Sequence, residues 1–312
     1  MDGNISIYAA PLQGYTEAAW RNAHHTVFGG TDGYFTPFVR IEKGAFRNKD
    51  LRDINPENNT AAIVPQLIAS TGEEMERLVA RIAEYDYTRM DVNMGCPFPL
   101  ITAKGKGAGI LPHPERVKEL CDVIKRHPEI SFSVKMRTGL ESHDEWKALI
   151  EMLNNTPLEM ITLHPRTGRQ QYKGEAEREA FGAFLAVCRH KVVYNGDLLT
   201  PDDIDELATR YPQTAGIMLG RGLLARPWLA AELRDGNTDD KALLYRKTLQ
   251  MHDLIYDHLA RTLEGGEQQL LSKIKPLWDY LLPDLGKKER KAILKSTKAD
   301  KYREAVRKAC CE

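Results

Sequence analysis

Short apolar runs alternate with longer amphipathic stretches along most of the chain. The runs are rich in β-branched and aromatic residues and have strand length, whereas the stretches repeat apolar residues at helical spacing. Several stretches begin near Pro, Asp or Thr, which favours helix starts there. The pattern predicts strands at 5–10, 34–39, 63–68, 88–92, 132–136, 160–163, 191–194 and 216–219, and helices at 72–85, 114–126, 143–154, 175–189 and 201–211.

This eightfold alternation predicts the fold. Successive βα units imply parallel strands with right-handed crossovers, and eight units close into a (β/α)₈ TIM barrel. An open doubly wound sheet is the alternative. The connection after Val39 fits the barrel least well, because residues 44–59 are polar and irregular.

The alternation is lost near residue 239. Amphipathic spacing then predicts helices at 243–259 and 270–282, with breaks at Gly265-Gly266 and at residues 283–286. We therefore expect an α/β fold, with a TIM-barrel catalytic domain over residues 1–238 and a small all-helical domain over residues 239–312.

Composition narrows the class of protein. The chain has 312 residues, 42% of them hydrophobic, and equal numbers (44) of basic and acidic residues, so average charge indicates no partner. Its five cysteines include no CxxC pair, which argues against a disulfide framework or a zinc site. No signal peptide or span of ~20 apolar residues is evident, so we expect a cytoplasmic protein.

The stretch 91–111, DVNMGCPFPLITAKGKGAGIL, places a cysteine beside a flexible basic loop. Asn93 and Cys96 follow a predicted strand, and the prolines at 97 and 99 argue against a helix there. Glycines alternate with Lys104 and Lys106, which suits an anionic substrate. The alternative is that Cys96 is a small buried residue and that the glycines only form a turn.

Polar residues follow every predicted strand. In a TIM barrel these carboxyl ends form the active-site face, and the turns after the last two strands commonly hold a phosphate. We therefore expect a phosphate-bearing cofactor, although any one of these residues could be a satisfied core group. The strand-end residues are Pro11, Leu12, Gln13, Arg40, Gln66, Asn93, Cys96, Lys135, Arg137, His164, Arg166, Asn195, Gly196, Asp197, Gly220 and Arg221.

Several motifs together resemble the tRNA-dihydrouridine synthases, a family of flavin enzymes. They occur in the family's order and near its spacing between residues 10 and 228. The resemblance implies an FMN-binding TIM barrel followed by a helical domain. The motifs are APLQGYT, VPQLIAS, DVNMGCPFP with the following GAG, SVKMRTG, LHPRTGRQQYKG, YNGDL and IMLGRGLLARPW.

The resemblance also implies residue roles. Cys96 matches the proton donor in reduction of the uridine C5–C6 bond, with NADPH as electron donor to FMN. Asn93, Lys104 and Arg166 match positions near the bound uridine and tRNA. Flavin contacts are implied for Pro11, Leu12, Gln13, Gln66, Lys135 and His164 and, on the phosphate side, for Asn195, Gly196, Asp197, Gly220 and Arg221.

The chain departs from the family pattern in places. Leu12 stands where methionine is usual, Leu198 stands where isoleucine is usual, and the second proline of CPFP is less standard. Arg40 resembles a marker of the bacterial C-type subgroup, and we place it on the tRNA side. Two other functions remain open: a lyase that uses Lys135 as a Schiff-base amine, and a catalytically silent RNA-binding barrel.

The C-terminal region carries a concentrated positive charge. Between residues 287 and 308 there are ten basic residues against three acidic ones. Lys287, Lys291 and Lys295 share one face of a helix, and Lys298 joins them if the helix continues past Ser296-Thr297. A solvated surface helix is one interpretation, but a tRNA-modifying barrel needs lysines on phosphates. We expect tRNA as partner, a monomer, no metal and no membrane.

Overall fold

A computed structural model describes residues 5–236 and 240–311. Parallel strands form one sheet in the order β5 (Ile63–Val64), β2 (Gly33–Phe35), β1 (Ser6–Ala9), β11 (Gly216–Leu219), β10 (Lys191–Tyr194), β9 (Leu158–Thr167), β8 (Ser131–Gly139), β7 (Arg89–Met94) and β6 (Gln66–Leu67). Its two outer members, β5 and β6, are consecutive segments interrupted at Pro65, so the sheet closes on itself through that residue. Counted as one interrupted strand, they give the eight strands of a TIM barrel, which confirms the predicted fold.

The barrel strands lie close to their predicted positions. The strand predicted at 34–39 is only three residues long, although Val39 still forms a parallel bridge with Leu67. Two further strands, β3 (Ile41–Glu42) and β4 (Ala45–Phe46), form a separate two-stranded sheet.

Helices cover the outside of the barrel and make up the C-terminal region. Short 3₁₀ helices at Pro56–Asn58, Gly107–Ile110, Glu145–Ala148 and Lys275–Asp279 supplement them. The α-helices are α1 (Ala18–Val27), α2 (Asn48–Ile54), α3 (Gly72–Ala83), α4 (Pro99–Thr102), α5 (Pro114–Arg126), α6 (Ile150–Asn154), α7 (Arg178–Leu185), α8 (Pro201–Arg210), α9 (Arg221–Ala225), α10 (Leu229–Asp235), α11 (Lys241–Thr262), α12 (Gly266–Ile274), α13 (Lys287–Lys295) and α14 (Ala299–Cys311).

Local sequence explains where these helices begin and which face they bury. The Thr200 hydroxyl accepts from the Asp203 N–H, and the Asp203 carboxylate accepts from the Thr200 N–H, so α8 starts with a capping box. Helix α3 buries Met75, Leu78, Val79 and Ile82, one stripe at helical spacing that packs on the sheet. These contacts fix the barrel that carries the site.

The C-terminal helices pack on the barrel through α11, which lies against α1. Their own core centres on Tyr302, whose hydroxyl accepts from Trp278 Nε1 at 2.9 Å and lies 2.8 Å from His252 Nε2. The Leu282 N–H donates to the Ala225 carbonyl of the barrel at 3.1 Å. The predicted division at 238/239 falls at residues outside those described, so the two-domain organisation stays a prediction.

Three local predictions were wrong, and one open alternative was decided. The connection after Val39 contains an antiparallel hairpin of β3 and β4. Pro99 begins the short helix α4, because proline fits the first position of a helix. Residues 143–154 form a 3₁₀ turn and then α6. Of the two alternatives for the C-terminal lysines, the structure shows the shorter helix: α13 ends at Lys295, so Lys298 does not share its face.

None of the described helices is long and apolar enough to cross a membrane. Within residues 5–236 and 240–311, no group of His, Cys, Asp and Glu side chains is arranged to hold a metal ion.

Candidate active site

A cavity opens at the carboxyl ends of the barrel strands. This inner cavity has an empty volume of about 890 Å³, which includes the solvent at its mouth. Residues from the ends of several separate strands line it, as the barrel predicts. Those that matter below are Pro11, Leu12, Gln13, Asn93, Cys96, Lys135, Arg137, His164, Tyr172, Asn195, Gly196, Asp197, Leu199, Gly220 and Arg221.

Lys135 supplies a positive charge inside this cavity. It lies on β8 directly beside Asn93 of β7, and its Nζ donates to Asn195 Oδ1 at 2.8 Å. Burial, together with the nearby Arg137, lowers the pKa of Lys135 to about 8, and the Asp91 carboxylate opposes part of the shift. At neutral pH the Lys135 side chain is mostly in its charged ammonium form, yet it loses its proton more easily than a surface lysine does.

His164 is a neutral imidazole in the same wall. Arg166 Nη1, which can only donate, lies 3.1 Å from His164 Nε2, so Nε2 accepts and the proton is on Nδ1. Burial lowers the pKa of His164 well below its usual value, and the cations Arg137, Lys135, Arg166 and Arg221 lower it further. The ring therefore offers a donor without adding charge.

Asp197 organises the turn after β10. Its carboxylate accepts from Arg166 and, at 2.6 Å, from Arg221 Nη2, so it ties that turn to the start of α9. The adjacent Gly196 has a φ of +153°, and a Cβ there would lie 3.1 Å from the Ala176 Cβ. Only glycine suits this position, and the backbone is consequently bare on the cavity side.

Behind Asn93, three polar side chains form a hydrogen-bonded chain inside the barrel. The Asp91 carboxylate accepts from Ser133 Oγ at 2.6 Å and from Gln66 Nε2 at 2.7 Å. Gln66 Oε1 then accepts from Asn93 Nδ2 at 2.8 Å. Because an ionised carboxylate only accepts, the orientation of each amide in the chain follows from Asp91.

The chain ends at Cys96. Asn93 Oδ1 accepts from the backbone N–H groups of Gly95, at 3.1 Å, and Cys96, at 2.8 Å. Burial raises the pKa of the Cys96 thiol, while a hydrogen bond from the Phe98 backbone, with Arg137 and Lys135, partly offsets the rise. The sulfur is therefore a neutral thiol at physiological pH and can give up a proton.

The glycine-rich loop packs against Cys96 instead of opening a ligand site. The Ala108 N–H donates to the Cys96 carbonyl at 3.0 Å, and a Cβ on Gly107 would lie 2.6 Å from that oxygen. The side chain of Lys106 is paired with Glu74. The prediction that Lys106 binds an anionic substrate was therefore wrong. The glycines instead allow the close packing that fixes the position of Cys96.

A second, outer cavity of about 1030 Å³ lies in front of the first, again including open solvent. Cys96, Tyr172 and Arg221 line both cavities, so the two are continuous. Arg40 lines the outer one, held by ion pairs with Glu42 at 3.5 Å and Asp50 at 4.0 Å. Its remaining walls include Leu12, Gln13, Tyr15, Phe38, Phe98, Ile101 and, from the C-terminal helices, Tyr280.

Most strand-end residues identified from sequence line these two cavities, but Gln66 and Arg166 do not. Gln66 is fully buried behind Asn93 and lines neither cavity, so direct contact with a flavin ring stays a prediction. Arg166 faces Asp197, His164 and the Gly174 carbonyl, away from the predicted uridine side. Lys104 is exposed outside both linings, and Lys291, on the C-terminal helix α13, is also exposed.

Sequence reasoning assigned no role to two residues that matter here. Asp91 shares the inward face of β7 with Asn93, and this period-two spacing within a predicted strand was a usable signal. Tyr172 lies between two guanidinium groups, 5.6 Å from that of Arg137 and 5.0 Å from that of Arg221, in a loop with no such pattern.

Comparisons with known proteins agree with this architecture. The tRNA-dihydrouridine synthase B of Yersinia pestis is 24% identical over 244 residues, covering 73% of this chain and 71% of that protein. The tRNA-dihydrouridine(16) synthase of Cupriavidus necator is 26% identical over 287 residues, covering 87% and 88%.

Among solved structures, morphinone reductase in complex with tetrahydroNAD superposes with a TM-score of 0.54 at 10% identity, covering 77% of this chain and 90% of that one. This likeness supports the barrel fold alone. The model of the dihydrouridine synthase (Dus) family matches residues 8–309, nearly the whole chain. This chain therefore belongs to the dihydrouridine synthase family.

Proposed function

We propose that this protein reduces the C5–C6 bond of uridines in tRNA to give 5,6-dihydrouridine. The observation that carries the proposal is the position of Cys96, a neutral thiol at the junction of an inner cationic cavity and an outer aromatic cavity. A reductant in the inner cavity and a base in the outer cavity would meet beside that thiol. Family membership and the names of the relatives support the same reaction.

The inner cavity fits FMN. The bare backbone at Gly196 and Gly220, together with Arg221, suits a phosphate after the last two barrel strands. Lys135 and His164 provide donors along the wall where a ring would lie. When bound, FMN supplies the hydride that adds to C6 of uracil, and NADPH is the proposed source of its electrons.

The chain's own residues then have distinct tasks. Cys96 donates its proton to C5 as negative charge develops on the uracil ring. The ammonium of Lys135 stabilises negative charge that develops in the inner cavity. Asn93 fixes the turn that carries Cys96 through its two backbone hydrogen bonds.

Helix α13 offers a cationic face that lies outside the linings of both cavities. Lys287, Lys291 and Lys295 are exposed and spaced by four residues, so they share one face. Lys287 and Lys288 occupy the first turn, where the helix dipole disfavours cations. Positive charge at this end does not stabilise the helix. We therefore assign the lysines of α13 to contacts with RNA phosphates.

The absorption spectrum of the purified protein tests the cofactor. We expect bound FMN, released on denaturation and identified by mass spectrometry. A Schiff-base lyase would lack this spectrum and would be trapped by borohydride through Lys135, so colourless protein that takes up no FMN would contradict the proposal.

Turnover tests the reaction. Incubation with NADPH and unmodified tRNA transcripts should consume NADPH and yield dihydrouridine, detected as a 2 Da mass increase in the nucleoside. A protein that binds FMN and tRNA without producing dihydrouridine would instead be a silent RNA-binding barrel.

A further inference from the structure

Exposed apolar side chains concentrate at the mouth of the two cavities. Six large hydrophobic side chains are exposed in the part of the chain that the structure describes. Phe98, Tyr172 and Leu199 line the cavities, and Leu100 lies two residues beyond Phe98. Exposed apolar residues that lie together mark interaction surfaces, whereas apolar residues scattered singly over a surface are normal and need no explanation.

The backbone around Phe98 is held in a fixed conformation. Prolines on both sides restrict the chain, and the Phe98 carbonyl accepts from the N–H groups of Ile101, at 2.8 Å, and Thr102, at 3.0 Å. Phe98 is nevertheless 57% exposed. An interaction made by this ring would cost little backbone entropy, since the backbone is already fixed.

The position of Phe98 relative to Cys96 is also fixed. Phe98 follows Cys96 by two residues, and both line the outer cavity, so the ring stands at the rim beside the proton donor. In its described lining, the outer cavity has two guanidinium groups, those of Arg40 and Arg221, and no carboxylate. Both groups are ion-paired, Arg40 with Glu42 and Asp50 and Arg221 with Asp197, but these carboxylates lie outside the outer lining, so the charged groups that line the outer cavity are cationic donors, which suit an RNA strand.

We propose that Phe98 stacks on the nucleobase adjacent to the uridine that is reduced, with Leu100 contacting the same nucleotide. The inference rests on the proposed function. A base that leaves its stack to reach Cys96 exposes the face of its neighbour, and an aromatic ring at the rim replaces the missing stacking partner. Stacking also tolerates any base, so Phe98 would hold the opened strand without selecting its sequence.

Binding of an unmodified tRNA transcript to three Phe98 variants tests the proposal. Phe98→Ala and Phe98→Leu should raise both the Kd and the KM for tRNA roughly tenfold, whereas Phe98→Trp should bind as the original protein does. Leu254→Ala, at an exposed position on α11 outside both cavities, is the matched control and should change neither constant. Flavin content and thermal unfolding of each variant report that the barrel is intact.

A spectroscopic measurement separates stacking from a general apolar contact. A transcript carries 2-aminopurine beside the uridine that mass spectrometry identifies as reduced. Its fluorescence should be quenched by the original protein and by Phe98→Trp but not by Phe98→Leu. Equal quenching by Phe98→Leu, or tRNA binding by Phe98→Ala at unchanged affinity, would overturn the proposal. Absence of dihydrouridine formation by the original protein would instead count against the proposed function.

Discussion

The Asp91 carboxylate accepts a 2.7 Å hydrogen bond from the side-chain amide of Gln66, and both groups are fully buried in the barrel. This bond sets which end of Gln66 faces Asn93, and Asn93 in turn holds the backbone of Cys96. Asp91 is therefore a positioning residue for the proton donor, although it touches neither cavity.

Two Asp91 variants test this positioning role. Asp91→Ala removes the acceptor, so Gln66 can reverse and the turn at Cys96 loses its anchor; uridine reduction should fall about tenfold, with bound flavin retained. Asp91→Asn keeps an oxygen for Gln66 and can donate to Ser133, so most activity should remain. Single-turnover rates with prereduced enzyme and tRNA provide the measurement. An equal loss of the reduction rate in both variants would indicate that the negative charge of Asp91 matters and that the orientation of the Gln66 amide does not.

Asp91 should also affect how stability depends on pH. Burial raises its pKa from 3.8 to about 6, so the native state binds this proton more tightly than the unfolded chain does. The stabilising contribution is complete below pH 3.8 and is lost as pH rises through 6. Between pH 5 and 7.5 the free energy of unfolding of the original protein should fall by about 1 kcal/mol relative to that of Asp91→Asn. Urea unfolding of both proteins across this range measures the difference, and parallel curves would contradict the buried-carboxylate account.

Replacing the thiol should separate the two half-reactions. Cys96→Ala should retain FMN and lower uridine reduction by roughly two to four orders of magnitude, since a general acid is lost. Because burial raises the thiol pKa, the protein with Cys96 should keep its proton donor through neutral pH and lose it only in alkaline solution. Rapid-mixing measurements of flavin oxidation by tRNA give both results. An unchanged rate on intact tRNA would refute the role of Cys96.

Two glycine variants test the phosphate end of the inner cavity. Gly196→Ala introduces a Cβ 3.3 Å from His164 Cδ2 at a positive φ, and should weaken FMN binding at least tenfold. Gly44→Ala is the control, because it has a φ of +80° with no atom within 4 Å of the added Cβ. Equilibrium dialysis against FMN distinguishes them. Similar FMN affinity in both variants would place the phosphate elsewhere.

The C-terminal lysines should provide affinity without sequence preference. The triple variant Lys287→Ala, Lys291→Ala and Lys295→Ala should weaken binding of all tRNAs alike and reduce the salt slope by roughly 0.7–0.9 for each phosphate that is no longer neutralised. Lys118→Ala, Lys125→Ala and Lys147→Ala, at exposed positions of the barrel, change the net charge equally and serve as the control. If the salt dependence of tRNA binding were unaltered in the first triple variant, the contacts with RNA phosphates would have to lie on the barrel face.

Substitution is a sharper test than truncation for this region. The sequence suggests that residues after 239 could be removed while the barrel stays intact. In the structure α11 covers α1, and Tyr280 forms part of the outer cavity, with its ring 5.4 Å from that of Tyr15. Truncation would therefore expose barrel surface and alter the site itself.

The sequence alone determined the barrel and the face that carries its site. Helical and strand periodicities are local properties of consecutive residues, so the βα alternation predicted the fold, and the position of each strand end followed from it. The placement of Cys96, Lys135, His164 and Arg221 around one cavity needed no further information, because parallel strands bring their carboxyl ends together.

Tertiary structure decided the partner of each polar side chain. Gln66 meets Asp91 because the register of β6 against β7 places them side by side, and Arg166 turns to Asp197 because the loop after β10 folds back over β9. Lys106 meets Glu74 across 32 positions of sequence, and Tyr280 reaches the cavity from the C-terminal helices. Such pairings depend on sheet closure and helix docking, which join distant segments, and no local pattern records which residues will then be adjacent.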